Sequence, residues 1–354
     1  MGRTTRLVAV ALFALRLPAD AADPTPRPGA IEADERGFLE KHWRRAIPPQ
    51  GPAPARFSPI ERSLQPEACG ACHPVQFGDW QASLHSKSMG PGVAGQLVEM
   101  TRRDPPRRDG STASRAPRAT LPHNGVTRTT AFLRAGFCAS CHQFGADGLP
   151  LNGKPLENTY EEWRGSPAAR RGLQCQHCHM PDRRHLWRGI HDADMVRSGV
   201  EITLRADRAR YRAGDLVRAT LAIATPRVGH AFPTYVTPQV LVRAELVDAQ
   251  RQPVAGSVEE RVIARQVPLD LLRKISDTRI PPGGRFTLDY SRRLEAVGLK
   301  LRVTVTVLPD EFYTRFFEAL QAAGAGEGEA QIREALEATR RSAYTLYVKE
   351  LPLT

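Results

Sequence analysis

Acidic residues and long apolar runs are both scarce in this 354-residue chain. Lysine and arginine total 50 against 38 for aspartate and glutamate, which gives a formal net charge of +12. Such a surplus suits an acidic protein, an anionic lipid or nucleic acid as a partner. Beyond the N-terminus no run approaches the roughly 20 apolar residues that a membrane span needs. We therefore expect no transmembrane segment in the mature chain.

The one apolar run of note lies at the N-terminus. Arg3 and Arg6 precede "LVAVALFAL", and "LPADAAD" follows with an Ala-x-Ala site at Ala19 and Ala21. This layout is typical of a secretory signal peptide, and a run of roughly ten residues is too short to anchor the chain in a membrane. We expect a signal peptide over 1–22 and a periplasmic or otherwise exported protein, soluble after cleavage. Export argues against nucleic acid as the partner.

The middle of the chain lacks the sequence of a conventional core. Residues 23–66 are proline-rich and are predicted to form a linker with a short helix. Residues 67–197 contain all six cysteines and eight of the ten histidines but few β-branched runs, so they cannot build an apolar core of their own size. Within them, the arginine- and proline-rich stretch 101–129 is predicted to be a basic insertion loop.

Residues 198–354 have a different pattern. Short alternating segments such as "DLVRATLAIA" and "LKLRVTVTVL" are separated by turn residues, which predicts an antiparallel β-sandwich. Near the end, "DEFYTRFFEALQAAG" and "EGEAQIREALEATRR" have helical spacing, and "SAYTLYVKEL" follows as a candidate last strand. The predicted fold class is a multidomain α+β protein, with a mostly helical and loop-rich cofactor-binding domain before the sandwich and its C-terminal helices.

The pattern Cys-x-x-Cys-His occurs three times and uses every cysteine. The copies are "CGACH" (Cys69, Cys72, His73), "CASCH" (Cys138, Cys141, His142) and "CQHCH" (Cys175, Cys178, His179). Two thiols one helical turn apart can each add to a vinyl group of the same haem, and the histidine then lies under the iron. The sequence therefore predicts three covalently bound haem c groups.

Three other uses of these cysteines fit the sequence less well. Disulfides suit an exported chain, but pairing gives no reason for a histidine after each second cysteine. A thioredoxin-like pair needs a βαβ setting that the sequence lacks. A zinc site collects four ligands at tetrahedral spacing, whereas here three identical units would have to pool theirs.

Each motif supplies the proximal axial ligand of one haem iron, and the sixth position of each iron is open to a distal ligand or to a substrate. The proximal histidines are His73, His142 and His179. Of the remaining histidines, His42 in the linker and His177 inside a motif are poorly located for ligation. The five other candidates for the distal positions are His85, His191 and His230, which we favour, and His185 and His123.

Methionine is the other common sixth ligand, and Met89, Met180 and Met195 are available. Met180 directly follows a proximal histidine and cannot easily reach the opposite face of that haem. Because histidine is in surplus, we expect three bis-histidine, low-spin haems of low potential. Ligation by His230 would also join the β domain to the haem domain.

The flanking sequences resemble those of multihaem cytochromes related to cytochrome c-554. "ACGACHPVQFGDWQASLHSKSM" looks like their first motif, in which CxxCH is followed by Trp-x-x-Ser-x-His, and "CQHCHMP…HLWRGIHD" and "GHAFPT" are similar to later segments of exported multihaem cytochromes that end in a β-sandwich. The resemblance covers roughly residues 66–235. It implies haem ligation by His85, His191 and His230, although this chain has three motifs where the tetrahaem relatives have four.

Closely spaced haems favour electron transfer, since tunnelling falls steeply with distance. We expect an exported triheme cytochrome that passes electrons between redox protein partners, acidic ones among them, and that is a carrier rather than an enzyme. One alternative is an oxidoreductase with one open haem that acts on a small nitrogen or sulfur compound, although no acid–base pair stands out. The other is that the β domain docks the cytochrome to a larger respiratory or outer-surface assembly.

Replacing Cys175 and Cys178 together with alanine should remove one haem of three, because both thioether links of one motif are lost. The mass of the intact purified protein measures this directly. A haem content unchanged by the double substitution would instead indicate a disulfide or a zinc site.

Overall fold

The computed structural model describes residues 55–63, 65–88, 90–94, 130–144, 150–151 and 154–353. The expected signal peptide, most of the linker, the insertion loop 101–129, Met89 and His123 lie outside these residues. Within the described part of the chain, no helix is long and apolar enough to cross a membrane.

Before residue 200 the described chain consists mostly of short helices. They are α1 (Pro59–Arg62), α2 (Pro66–Gly70), α3 (Pro74–Ala82), α4 (Ala135–His142), α5 (Thr159–Arg164), α6 (Pro167–Arg170), α7 (Cys175–His179) and α8 (Ala193–Gly199). Several begin at proline, whose fixed φ and missing N–H suit the first turn of a helix. Short 3-10 turns lie at Leu84–Lys87, Thr130–Leu133 and Pro181–Arg183, and β1 (Pro150–Leu151) pairs with β2 (Lys154–Pro155).

Two antiparallel sheets follow. Their strands, with a two-stranded ribbon of β7 and β8 beside them, are β3 (Glu201–Ala206), β4 (Leu216–Ala224), β5 (Gln239–Val247), β6 (Glu259–Ile263), β7 (Arg265–Gln266), β8 (Ser276–Asp277), β9 (Arg285–Arg293), β10 (Lys300–Leu308) and β11 (Tyr344–Pro352). The larger sheet has the order β11-β10-β5-β6 and the smaller one β3-β4-β9.

The two sheets share one apolar core. Every second side chain of β10 points into it, and Val303, Val305 and Val307 are at most 1% exposed. The core also takes in alternating residues of β4, β5 and β9, so the inner faces of both sheets contribute. The predicted α+β fold with antiparallel sheets is therefore confirmed.

The C-terminal helices build a second core. Helices α9 (Glu311–Ala323) and α10 (Glu329–Arg341) pack together around Phe312, Phe316 and Ile332. Between them Gly324 has a φ of 82°, a conformation that glycine adopts without strain. Gly92 fits closely against α9, since a Cβ there would lie 2.5 Å from the ring of Phe317.

The segment with the three motifs has little core of its own, as its sequence predicts. Among its described residues up to Asp194, the buried apolar side chains are those of Val93, Ala131, Ala135 and Leu156. Leu156 belongs to the core of the C-terminal helices. The segment thus depends on the rest of the chain for much of its packing.

A buried carboxyl group lies where this segment meets the β domain. Glu157 is 6% exposed, and both the backbone N–H and the hydroxyl of Thr159 bond to its carboxylate. The Thr159 hydroxyl lies 2.6 Å from that of Thr234 in the β domain. Burial raises the pKa of Glu157 from 4.5 to about 7, and this effect exceeds that of the two Thr159 hydrogen bonds, which lower the pKa. Glu162 raises the pKa slightly further and Arg279 lowers it slightly.

We expect Glu157→Gln to flatten the pH dependence of stability between pH 4.5 and about 7. The pKa of Glu157 is higher in the folded chain than in the unfolded chain, so its contribution is fully present below pH 4.5 and is lost as the pH rises through 7. The loss amounts to about 3 kcal/mol, at about 1.4 kcal/mol per pKa unit. Urea midpoints across this range measure it.

The exposed Glu337→Gln on α10 is the matched control and should keep the wild-type pH profile. Parallel profiles for Glu157→Gln and the wild type would show that Glu157 ionises normally in the folded protein.

Candidate haem site

Each motif forms about one helical turn. The first, at 69–73, runs from the end of α2 to the residue before α3; the second, at 138–142, ends α4; and the third is α7 itself. Residues three apart lie on the same face of a helix, so each motif brings its two cysteines together. The structure forms no disulfide among the six cysteines.

The second and third motifs lie against each other. The backbone N–H of Ala135 donates to Oε1 of Gln174 at 2.9 Å, and Nε2 of Gln176 donates to the carbonyl of Arg134 at 2.8 Å. The thiols of Cys138 and Cys175 hydrogen-bond to each other, and this bond, with burial, raises the pKa of Cys175. Any group attached at one of these two cysteines is therefore close to a group attached at the other.

Four histidine rings form two pairs near these motifs. The ring centres of His85 and His142 are 6.4 Å apart, with planes inclined by 73°. Those of His179 and His230 are 6.2 Å apart, with planes inclined by 17°. Each pair joins a proximal candidate to a distal candidate from a different part of the chain.

The spacing within each pair fits one metal ion between two imidazoles. A metal–imidazole bond is about 2 Å long and a ring nitrogen lies about 1.2 Å from the ring centre, so two rings on opposite sides of one ion have centres about 6.4 Å apart. Both inclinations are compatible with this, because each ring can turn about its own metal–nitrogen bond.

In His179 and His230, hydrogen bonds determine which ring nitrogen is available to bind a metal. Nδ1 of His179 bonds to the carbonyl of Arg188, and Nδ1 of His230 lies 2.9 Å from the carbonyl of Ala231. A ring that donates from Nδ1 to a carbonyl presents the lone pair of Nε2, which is the usual arrangement behind a metal-ligating histidine. The donor set of this pair therefore fits iron ligation through Nε2.

Burial favours the neutral form of His142, His85 and His230. Burial, followed by the effects of His85, His179 and His230, lowers the pKa of His142 to about 4. Burial also lowers the pKa of His85 and of His230. A neutral imidazole is the form that binds a metal, so ionisation does not compete with ligation near neutral pH.

The other candidate histidines have different surroundings. Nε2 of His191 lies 2.8 Å from Oδ2 of Asp310, and its Nδ1 is buried without a hydrogen-bond partner in the described structure. The backbone N–H of His185 donates to Asp79, and its ring centre is 5.0 Å from that of Trp187. His177, predicted to be a poor ligand, accepts a hydrogen bond at Nδ1 from the backbone N–H of Gln174, the residue just before its motif.

The first motif is tied to the segment that follows the third. Asp79 of α3 accepts bonds from Nε and Nη2 of Arg184 at 2.6 and 2.5 Å. The ring centre of Trp187 is 5.0 Å from that of His85, and its φ of 42° is strained for a bulky residue. His73, the proximal candidate of the first motif, precedes α3 directly. The segments that contain His73, His85 and His185 therefore lie next to one another.

Sequence reasoning missed the polar residues that hold these rings. Asp79, Glu162 and Asp310 lie in ordinary helical patterns and carried no signal beyond helix starts and surface charge. Trp187 lies within the quoted "HLWRGIHD", but nothing in that stretch indicated its contacts with two histidines.

Two further features border the site. Large apolar side chains that are about half exposed lie next to the first two motifs, at Val75, Leu84, Phe132 and Leu133. An open cleft of about 460 Å³ has Glu162, Ala231 and Arg279 among its lining residues.

Among the described residues, no three His, Cys, Asp or Glu side chains come together as a metal site. Iron in a porphyrin needs only two axial ligands.

Comparisons with known proteins give matches among solved structures. No protein-family model and no curated protein matches this chain. A solved penta-haem cytochrome c552 from Thermochromatium tepidum is 18% identical, with a TM-score of 0.47 over 74% of this chain and 66% of its own length. A sporulation control protein from Bacillus subtilis is 8% identical, with a TM-score of 0.13 over 31% of this chain and 43% of its own. This chain thus spans less than two thirds of either neighbour, and at these TM-scores neither defines its fold or function.

Proposed function

We propose that this chain is an exported triheme c-type cytochrome that carries electrons between redox protein partners. In this proposal 1–22 is a signal peptide, 23–66 a linker, 67–197 the haem-binding domain and 198–354 the β domain. The haem thioether links form at Cys69, Cys72, Cys138, Cys141, Cys175 and Cys178. The proximal ligands are His73, His142 and His179.

The two ring pairs are the observation that carries the proposal. His85 faces His142 and His230 faces His179 at separations that suit one iron each. In both pairs the first-named histidine is a distal candidate that the sequence indicated independently. The Nδ1 bond of His230 to a carbonyl also leaves Nε2 as its ligating atom.

For the third iron, His191 is the favoured distal ligand and His185 and His123 are the alternatives. The buried Nδ1 of His191 lacks a partner among the described residues, whereas its Nε2 is held by Asp310. An unpaired buried nitrogen is costly, and ligation through Nδ1 would satisfy it. Asp310 would then support the ring from behind, as carboxylates do for metal-ligating histidines.

The ligand set favours a carrier over an enzyme. Bound haem c supplies an iron that changes by one electron. Two histidines at each iron would leave no coordination position for a substrate. The contact of Cys138 with Cys175 favours a short distance between the second and third cofactors. The net charge of +12 suits an acidic redox partner.

Replacing His85 or His230 with alanine should convert one haem of three from low spin to high spin, because one iron loses its sixth ligand. Electron paramagnetic resonance and optical spectra of the oxidised protein measure the change. His177→Ala is the matched control, since that residue lies in a motif but bonds locally, and it should leave all three haems low spin.

Three low-spin haems in both variants would remove His85 and His230 from the ligand set. A high-spin haem in the wild-type protein would favour the open-haem oxidoreductase instead. Absence of haem from the purified exported protein would end the proposal.

The third distal ligand is tested by His191→Ala beside His185→Ala. We expect the first variant to contain one high-spin haem and the second to keep the wild-type spectrum, because of these two histidines His191 alone has a buried ring nitrogen without a partner in the described structure. The same spectra measure both, and the reverse result would assign the ligand to His185. Wild-type spectra from both variants would favour His123.

A further inference from the structure

The backbone beside His230 is held by a side chain from the motif-bearing segment. His230 lies in the loop between β4 and β5, and both the carbonyl and the N–H of the next residue, Ala231, form hydrogen bonds. The carbonyl of Ala231 is 2.9 Å from Nδ1 of His230, and its N–H donates to Oε2 of Glu162 at 3.1 Å. Glu162 belongs to α5, in the segment that contains the three motifs. A side chain of the motif-bearing segment thus fixes the peptide between His230 and Ala231 in the β domain.

Glu162 is itself fixed by a buried arginine. Its Oε1 lies 2.9 Å from Nη1 of Arg279, and the two side chains are 12% and 10% exposed. Nε and Nη2 of Arg279 bond to the two oxygens of Asp277 at 2.8 and 3.0 Å. Because each Glu162 oxygen has its own donor, the carboxylate cannot turn without losing a bond. Arg279 therefore sets the orientation in which Glu162 meets Ala231.

The loop has two further fixed points. Phe232 and Ile280 exchange two backbone hydrogen bonds of 2.8 Å, which tie the loop to the residue that follows Arg279. Gly229 packs on α5 and α6, where a Cβ would lie 3.3 Å from the ring of Trp163. The Phe232 N–H belongs to the same peptide as the Ala231 carbonyl that bonds the His230 ring, whereas the N–H that Glu162 binds belongs to the peptide between His230 and Ala231. Glu162 therefore fixes the backbone directly after the Cα of His230.

We propose that Glu162, oriented by Arg279, is a positioning residue that keeps His230 opposite His179. This inference rests on the proposed ligation of iron by that pair. Loss of the Glu162 carboxylate frees the N–H of the peptide between His230 and Ala231, so the His230 backbone can turn relative to the Ala231 carbonyl that bonds its ring. The ring then leaves the position 6.2 Å from His179, and the distal side of one iron opens.

The test compares Glu162→Ala, Glu162→Gln and Arg279→Lys in the full-length haem-loaded protein. In Glu162→Ala we expect three haems by mass, a high-spin fraction in one of them, and an affinity of that haem for added cyanide that rises about 10-fold or more, on the scale of the effects on metal affinity or activity that follow loss of outer-shell support. Glu162→Gln keeps a carbonyl acceptor for Ala231 and should show a smaller change. Arg279→Lys keeps the positive charge but loses the paired bonds to Asp277, so it should show an intermediate change.

Glu201→Gln is the matched control. Glu201 pairs with Arg227 of the same loop at 2.8 Å, but both side chains are more than half exposed and neither contacts Ala231 in the described contacts. Its spectra and cyanide affinity should equal those of the wild type.

The outcomes separate the positioning role from the proposed function. Three low-spin haems with wild-type cyanide affinity in both Glu162 variants would overturn the positioning role, even if their thermal stability fell, since a merely structural ion pair would lower stability alone. If Glu162→Ala does not fold, Glu162→Gln decides by the same readouts. A wild-type protein without haem would overturn the proposed function regardless of Glu162.

Discussion

The motif-bearing segment has few apolar residues, so its position against the β domain depends on polar contacts. The sandwich has a continuous core, whereas the motif-bearing segment contributes few buried apolar side chains among its described residues. Directional polar contacts hold it instead. Gln174 and Gln176 tie the second and third motifs together, and Glu162 bonds across to the β domain. Hydrogen bonds constrain angle as well as distance, so they fix the orientation of an imidazole more narrowly than apolar packing does.

The charges at the junction between the halves nearly cancel. Arg265 and Arg279 lie with Asp277 and Glu162 near Glu157, whose burial raises its pKa to about 7. Arg265 is 2% exposed and donates to the carbonyl of residue 155, and burial lowers its pKa. A buried ion pair adds little net stability compared with apolar packing, because both charges must leave water. The Glu162–Arg279 pair contributes orientation here, because it joins α5 to the β domain beside the loop that contains His230.

The sequence predicts the local parts of this structure better than the long-range ones. The alternation in β10 and the helical spacing of α9 and α10 are periodic signals, and the structure confirms these elements. The number of candidate histidines can be read from the sequence. The partners of His85 and His230 cannot, because each pair joins segments that are distant in the chain. Glu162 and Asp310 carried no local signal at all, since a carboxylate on a helix is usually a solvated one and only the fold brings a backbone N–H or an imidazole to it.

Each histidine pair joins two different segments of the chain, and this has a physical consequence for the proposed electron transfer. His85 follows the first motif yet faces the histidine of the second, and His230 of the sandwich faces that of the third. In the proposed holoprotein each cofactor would be attached to one segment and ligated by another, which links the segments into a single network. The strained φ of Trp187, whose ring contacts both His85 and His185, persists only where the surroundings are tightly determined. A rigid ligand set moves little when the charge on its metal changes, and a small rearrangement is what a carrier of single electrons requires.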